Sequence, residues 1–108
     1  MGQPNAQVEV KNNQAKSCYE ANVDGQLAVL TYERDGDTIT YLHTETPASL
    51  EGRGVGSALA RAALDEARSQ QLTIVPQCPF VAAYIRRHPQ YLDLVEESQR
   101  ANFSDSGK

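Results

Sequence analysis

Along the first half of the chain apolar and polar positions alternate with period two, and along the second half they recur every three to four residues. Stretches rich in Val, Ile, Thr and Tyr at residues 16–23, 26–34 and 37–44 predict strands, because successive side chains of a strand point to opposite faces. Asp24-Gly25 and Asp35-Gly36 stand between them. Asp-Gly pairs accept the positive φ that a two-residue hairpin needs, so the strands are expected to form an antiparallel meander. A further leading strand is predicted near residues 8–11. On the third strand of the meander, strict alternation puts Ile39, Tyr41 and His43 on one face and Thr40, Leu42 and Thr44 on the other, with His43 and Glu45 pointing the same way.

After Pro47 the period becomes helical. Val55, Leu59, Ala62, Ala63 and Ala67 fall on one stripe, with Arg61, Asp65, Arg68 and Ser69 on the other side, which predicts an amphipathic helix. The apolar run 72–75, bounded by Pro76, reads as a buried strand. Strand, helix, strand in that order implies a parallel pair with a right-handed crossover. Phe80, Val81, Tyr84, Ile85 and His88 repeat at helical spacing after Pro79, predicting a second helix that Pro89 stops. Residues 91–95 suit one more helical turn, and no internal repeat is present. The expected architecture is a mixed α/β (α+β) fold: an antiparallel meander, a Gly-rich loop, a helix, a parallel strand and a helix. It forms one domain over residues 1–95, followed by a polar, flexible tail at 96–108.

Composition narrows the range of partners. The chain has 108 residues, and its 14 acidic against 10 basic side chains give a net charge of -4. Surfaces for nucleic acid or anionic membranes need clustered Lys and Arg, so neither is the expected partner. No apolar run approaches the ~20 residues of a membrane-spanning helix, and residues 1–7 lack the charged and apolar regions of a signal peptide, so the expected location is cytoplasmic. Cys18 and Cys78 are far apart and belong to no CxxC or Cys/His pattern; free thiols and no metal site are expected.

The chemistry concentrates in Glu51-Gly52-Arg53-Gly54-Val55-Gly56-Ser57. A Gly-rich turn that opens a helix presents unpaired N–H groups to one point, where the helix dipole adds the equivalent of about +0.5 charge. Alternating Gly52, Gly54 and Gly56 let the backbone approach a diphosphate, and Arg53 adds a cation at the rim. The segment is neither a Walker loop, since no Gly-Lys-Ser or Gly-Lys-Thr follows, nor a dinucleotide GxGxxG, since Ser57 takes the third glycine position counted from Gly52. By itself it reads equally well as a flexible connection before a helix.

The order of elements and three segments together carry a closer resemblance. These are Leu42-His43-Thr44-Glu45-Thr46-Pro47, Glu51-Gly52-Arg53-Gly54-Val55-Gly56-Ser57-Ala58-Leu59, and the run from Val75-Pro76-Gln77-Cys78-Pro79-Phe80 through Tyr84 to Pro89. The sequence from Cys18 to Val95 resembles the GNAT acetyltransferases, and within them a compact single-domain subgroup. The acetyl-coenzyme A signature of that superfamily is Gln or Arg, two variable residues, Gly, a variable residue, then Gly or Ala. Gly54-Val55-Gly56 matches its end, Gly52-Arg53 fills the variable pair, and Glu51 departs from its first position. The resemblance implies transfer of an acetyl group from acetyl-CoA to an amine, with the cofactor at Gly52, Arg53, Gly54, Val55, Gly56 and Ser57. It also places the pantetheine arm between two splayed strands.

Such a transfer needs a base, stabilisation of an oxyanion and an acid for the leaving thiolate. His43, oriented by Glu45, suits the base, and an ordinary half-buried strand residue is an equal alternative. Cys78 suits a covalent acceptor if a neighbouring His or a helix N-terminus deprotonates it; otherwise it is a buried, inert thiol. Tyr84 occupies the helical position where the superfamily places a phenol near the CoA sulfur, or it packs in the core. Arg86 and Arg87 suit the cofactor's outer phosphate or a solvated helix face. The expected activity is an acetyl-CoA-dependent N-acetyltransferase acting as a monomer on an amine that is either a small molecule or a protein lysine. Two alternatives stay open: an acyl-CoA-binding sensor or interaction module with little or no catalysis, and a plain α/β scaffold.

Overall fold

Asp24 and Gly25 both take positive φ, 54° and 79°, the geometry of a tight hairpin whose twist matches its strands. They join β2 (Cys18–Val23) to β3 (Gln26–Asp35), with Val23 opposite Gln26. The next hairpin sets Asp35 opposite Thr38 and leads into β4 (Thr38–Glu45), so its loop is Gly36-Asp37, one residue later than expected. The computed structural model describes residues 8–50, 52 and 54–99. Within these, the leading strand β1 (Val10–Asn13) lies two residues beyond its expected position and pairs with β2. A short 3-10 turn at Gln14–Lys16 replaces the expected start of β2, and Ser17 closes it at φ 53°.

The Ala-rich segment forms α1 (Val55–Ser69). β5 (Thr73–Pro76) then lies parallel to β4 and completes a five-stranded mixed sheet in the order β1-β2-β3-β4-β5. α2 (Pro79–Arg87) begins at its proline, where a missing N–H costs nothing, and a 3-10 turn at Pro89–Leu94 follows. Val95 bridges to Ile74, and the Glu96 N–H donates to the Ile74 carbonyl. The expected tail therefore begins tied to the sheet; its part from residue 100 lies outside the described residues.

One continuous core joins the helices to one face of the sheet. α1 buries Val55, Leu59, Ala60, Ala63, Leu64 and Ala67, and α2 buries Val81, Tyr84 and Ile85. The expected α1 stripe omitted Ala60 and Leu64 and included Ala62, which is only half-buried. From the sheet come Tyr19, Ala21, Ala28, Leu30, Tyr32, Ile39, Tyr41 and Ile74. Each large aliphatic side chain withdrawn from water contributes about 1.5–3 kcal/mol. The fully buried Tyr41 satisfies its hydroxyl on the Ala63 carbonyl at 3.0 Å, so its ring enters the core without an orphaned donor.

β4 changes phase halfway along. Thr31 pairs with His43 but its neighbour Tyr32 pairs with Tyr41, leaving Leu42 as an extra residue, a β-bulge. Ile39 and Tyr41 therefore face the helices, whereas His43, opposite Thr31, emerges on the other face. Thr44, opposite the core residue Leu30, returns to the helix side. The expected grouping of Ile39, Tyr41 and His43 on one face is corrected by this bulge, while His43 and Glu45 do point the same way.

Candidate functional site

β4 and β5 part company at the bulge. Their parallel pairing runs from Thr38–Thr73 to Tyr41–Pro76, and Pro76 brings no N–H with which to extend the ladder. The Cys78 N–H makes one more bond to the Tyr41 carbonyl, 2.9 Å, after which the chain turns away into α2. Beyond the bulge, residues 43–45 remain paired with β3 alone among the named strands. The strands thus diverge where the chemistry-bearing residues of β4 begin.

The N-terminus of α1 opens toward a cleft. Its cap is Gly54, in the left-handed conformation at φ 78°, and among the described residues no side chain is bonded across the helix end. The first i to i-4 bond is from the Ala58 N–H to the Gly54 carbonyl, 3.0 Å, so the N–H groups of Val55, Gly56 and Ser57 precede the helical ladder. Gly54, Ser57, Ala58, Arg61 and Tyr84 all line a cleft of about 570 Å³ along the outer side of α1. Gly52 also has a positive φ, 83°, so two of the three alternating glycines serve the turn itself. The third has a different cause: a methyl group on Gly56 would lie 2.9 Å from Cζ of Phe80, so this glycine lets α2 approach α1. Glu51 and Arg53 lie outside the described residues.

The other singled-out residues form separate small groups. Cys78 is 2 % exposed and caps α2, with its carbonyl accepting from the Ala82 N–H at 3.0 Å. Its Sγ lies 3.1 Å from Thr44 Oγ1, on the helix side of β4. His43 Nε2 is 3.0 Å from Glu45 Oε2, and these side chains are 61 % and 68 % exposed on the other face. His43 and Cys78 therefore flank β4 from opposite sides, and among the described residues no histidine is hydrogen-bonded to this thiol. Tyr84 is buried, stacks on His88 at 4.1 Å between ring centres, and turns toward the cleft beside α1 rather than toward Cys78. Burial raises its phenol above the ordinary tyrosine value, partly offset by Arg61, so it holds its proton through neutral pH. Arg86 and Arg87 are exposed on the last turn of α2.

Three participants were not singled out from sequence. Thr44 partners the thiol, Phe80 fills the space over Gly56, and Arg61 brings a cation to the cleft, paired among the described residues with Asp65 at 3.9 Å. Thr44 had a signal, since alternation already separated it from His43. Arg61 had one as well, since it lies one turn beyond Ser57 on α1; Phe80 had none, because only the packing of α2 beside α1 brings it over Gly56.

Comparison with known proteins supplies the family. A family model described as GCN5-related N-acetyl-transferase matches residues 18–94. Protein NATD1 of Xenopus tropicalis is 30% identical over 98 residues, covering 86% of this chain and 90% of that protein. Protein NATD1 of Gallus gallus is 33% identical, with 80% and 83% covered, and that of Homo sapiens is 32% identical, with 82% and 83% covered. A GCN5-like protein from Staphylococcus aureus, solved in solution by NMR, superposes with a TM-score of 0.65 at 28% identity, covering 84% of this chain and 90% of that one. A matched segment that spans all of the sheet beyond β1, both helices and the diverging strands identifies the chain as a member of the GCN5-related N-acetyltransferase family.

Proposed function

We propose that the protein is an acetyl-CoA-dependent N-acetyltransferase that transfers the acetyl group directly to an amine. The observation that carries this reading is the glycine-capped N-terminus of α1, which opens at Gly54 into a cleft shared with Ser57 and Tyr84. Three backbone N–H groups outside the helical ladder, a left-handed glycine cap and a hydroxyl at Ser57 suit a diphosphate. Acetyl-CoA supplies an activated thioester; the rest of the chemistry falls to side chains of this chain.

On the face of β4 away from the helices, the His43 ring takes a proton from the incoming ammonium through Nδ1, while Glu45 holds the ring by its bond to Nε2. On the helix side, the Thr44 hydroxyl and the Cys78 thiol form the polar floor at the strand divergence. The Tyr84 phenol is kept protonated by burial and is the donor available to a departing thiolate. A covalent route through Cys78 is the less favoured alternative, because the thiol is closed in and its polar partner is a threonine rather than a base.

Calorimetry with CoA and acetyl-CoA, followed by turnover against a panel of amines, tests the assignment. We expect saturable binding that Gly54→Asp abolishes by placing a carboxylate at the helix mouth. Absence of heat and of thermal stabilisation at millimolar ligand would overturn it. Binding without turnover on any amine would leave an acyl-CoA-binding sensor in its place.

A further inference from the structure

The two faces of the sheet are built for different neighbours. Among the described residues, α1 and α2 both pack on the helix side and no element covers the face that receives His43 and Glu45, whose side chains are 61 % and 68 % exposed. Two of the three large exposed apolar residues among those described are on it: Leu27, 49 % exposed, and Leu42, 37 % exposed. Strand register places Glu20 and Val29 in one row with Glu45, and Glu33 two residues beyond Thr31, which pairs with His43. Lys11, opposite Glu20, is the cation of that row. Acidic groups therefore outnumber basic ones around an apolar strip, on a chain whose net charge is already -4.

This openness discriminates between classes of amine. A free metabolite gains affinity by burying about 70–90% of its surface in a concave site, and an open sheet face offers no such enclosure around His43 and Glu45. A polypeptide brings its own surface, and its flanking residues cover the strip while one side chain reaches the reacting centre. A lysine stem is apolar and its head is cationic, which suits a path over Leu42 to Glu45.

We propose that the acceptor is a lysine side chain within a basic polypeptide segment that docks across this open face. Leu27 and Leu42 are its apolar contacts, and Glu20, Glu33 and Glu45 are its charge partners. The proposal rests on the acetyltransferase reading for its chemistry but concerns a binding event that is measurable without acetyl-CoA.

The test is an NMR titration of the isotope-labelled protein with a short Lys- and Arg-containing peptide, and separately with spermidine, at low and high salt. The expected result is peptide-induced shifts at the amides of Leu27, Val29, Thr31 and residues 42–45, weakened by salt. Leu27→Ala and Glu33→Lys should each weaken peptide binding about tenfold while leaving the affinity for CoA unchanged. Shifts confined to the helix side, or spermidine binding the open face as tightly as the peptide does, would overturn the proposal. CoA affinity measured on the same samples keeps the two readings apart. Loss of CoA binding alone counts against the transferase, and intact CoA binding with a silent open face counts against the docking site.

Discussion

Phe80 lies across Gly56 so closely that a single added methyl group would come within 2.9 Å of its ring. Phe80 is 41 % exposed, so the ring has solvent to move into. Alanine also improves helix propensity by about 1 kcal/mol over glycine. Gly56→Ala is therefore expected to unfold in urea within about 1 kcal/mol of the parent. A coupling with Phe80→Ala of similar size should appear in a double-mutant cycle. A loss of several kcal/mol that Phe80→Ala fails to relieve would mean that the backbone, rather than the ring, sets the limit at this position.

The pairing of Thr44 with Cys78 offers a second test. If the two act together at the strand divergence, Cys78→Ala lowers turnover while leaving CoA affinity nearly intact, since the thiol lies apart from the glycine mouth. Thr44→Val keeps shape but removes the hydroxyl, and should lower turnover about tenfold when Cys78 is present. In the Cys78→Ala background it should have little further effect. Independent, additive losses would show that the 3.1 Å contact has no role in the reaction.

Much of this architecture was legible because local chemistry and global fold agree. Asp24-Gly25 states its turn, Pro79 and Pro89 bracket α2, and the Ala-rich stripe of α1 has the helical period. What was not legible follows from pairing across strands. Nothing in Tyr41-Leu42-His43 marks Leu42 as the extra residue, yet that one insertion sends His43 to the open face and leaves Thr44 beside Cys78. The glycines show a similar limit. Three alternating glycines suggest one shared purpose, but Gly52 and Gly54 serve positive φ while Gly56 makes room for a ring that belongs to another helix. Ala60 and Leu64 were missed because α1 packs on the sheet and also against α2 beside it, which widens its buried face beyond a single stripe.

Alkaline pH should unfold this protein in a way that reports on its buried phenols. Burial, reinforced by the Glu66 carboxylate that accepts from the Tyr19 hydroxyl, pushes Tyr19 well above the ordinary tyrosine value, and burial does the same to Tyr41. Tyr91, desolvated and donating to Asp65 at 2.6 Å, is pushed up to about 12. Each phenol stays protonated in the folded chain at a pH where the unfolded chain, with a value near 10, has already released its proton. The folded state then holds more protons, so stability falls as pH rises from about 10 towards 12, by up to about 1.4 kcal/mol per pH unit for each such tyrosine. Tyr91→Phe removes one contributor. Its urea midpoint should drop modestly at pH 8, because Asp65 loses a donor, yet decline less steeply than the parent's between pH 10 and 12. Lysines titrate in the same range in both proteins, so the difference between the two slopes isolates the phenol. Parallel slopes for parent and variant would show that Tyr91 ionises in the folded chain as readily as in the unfolded one.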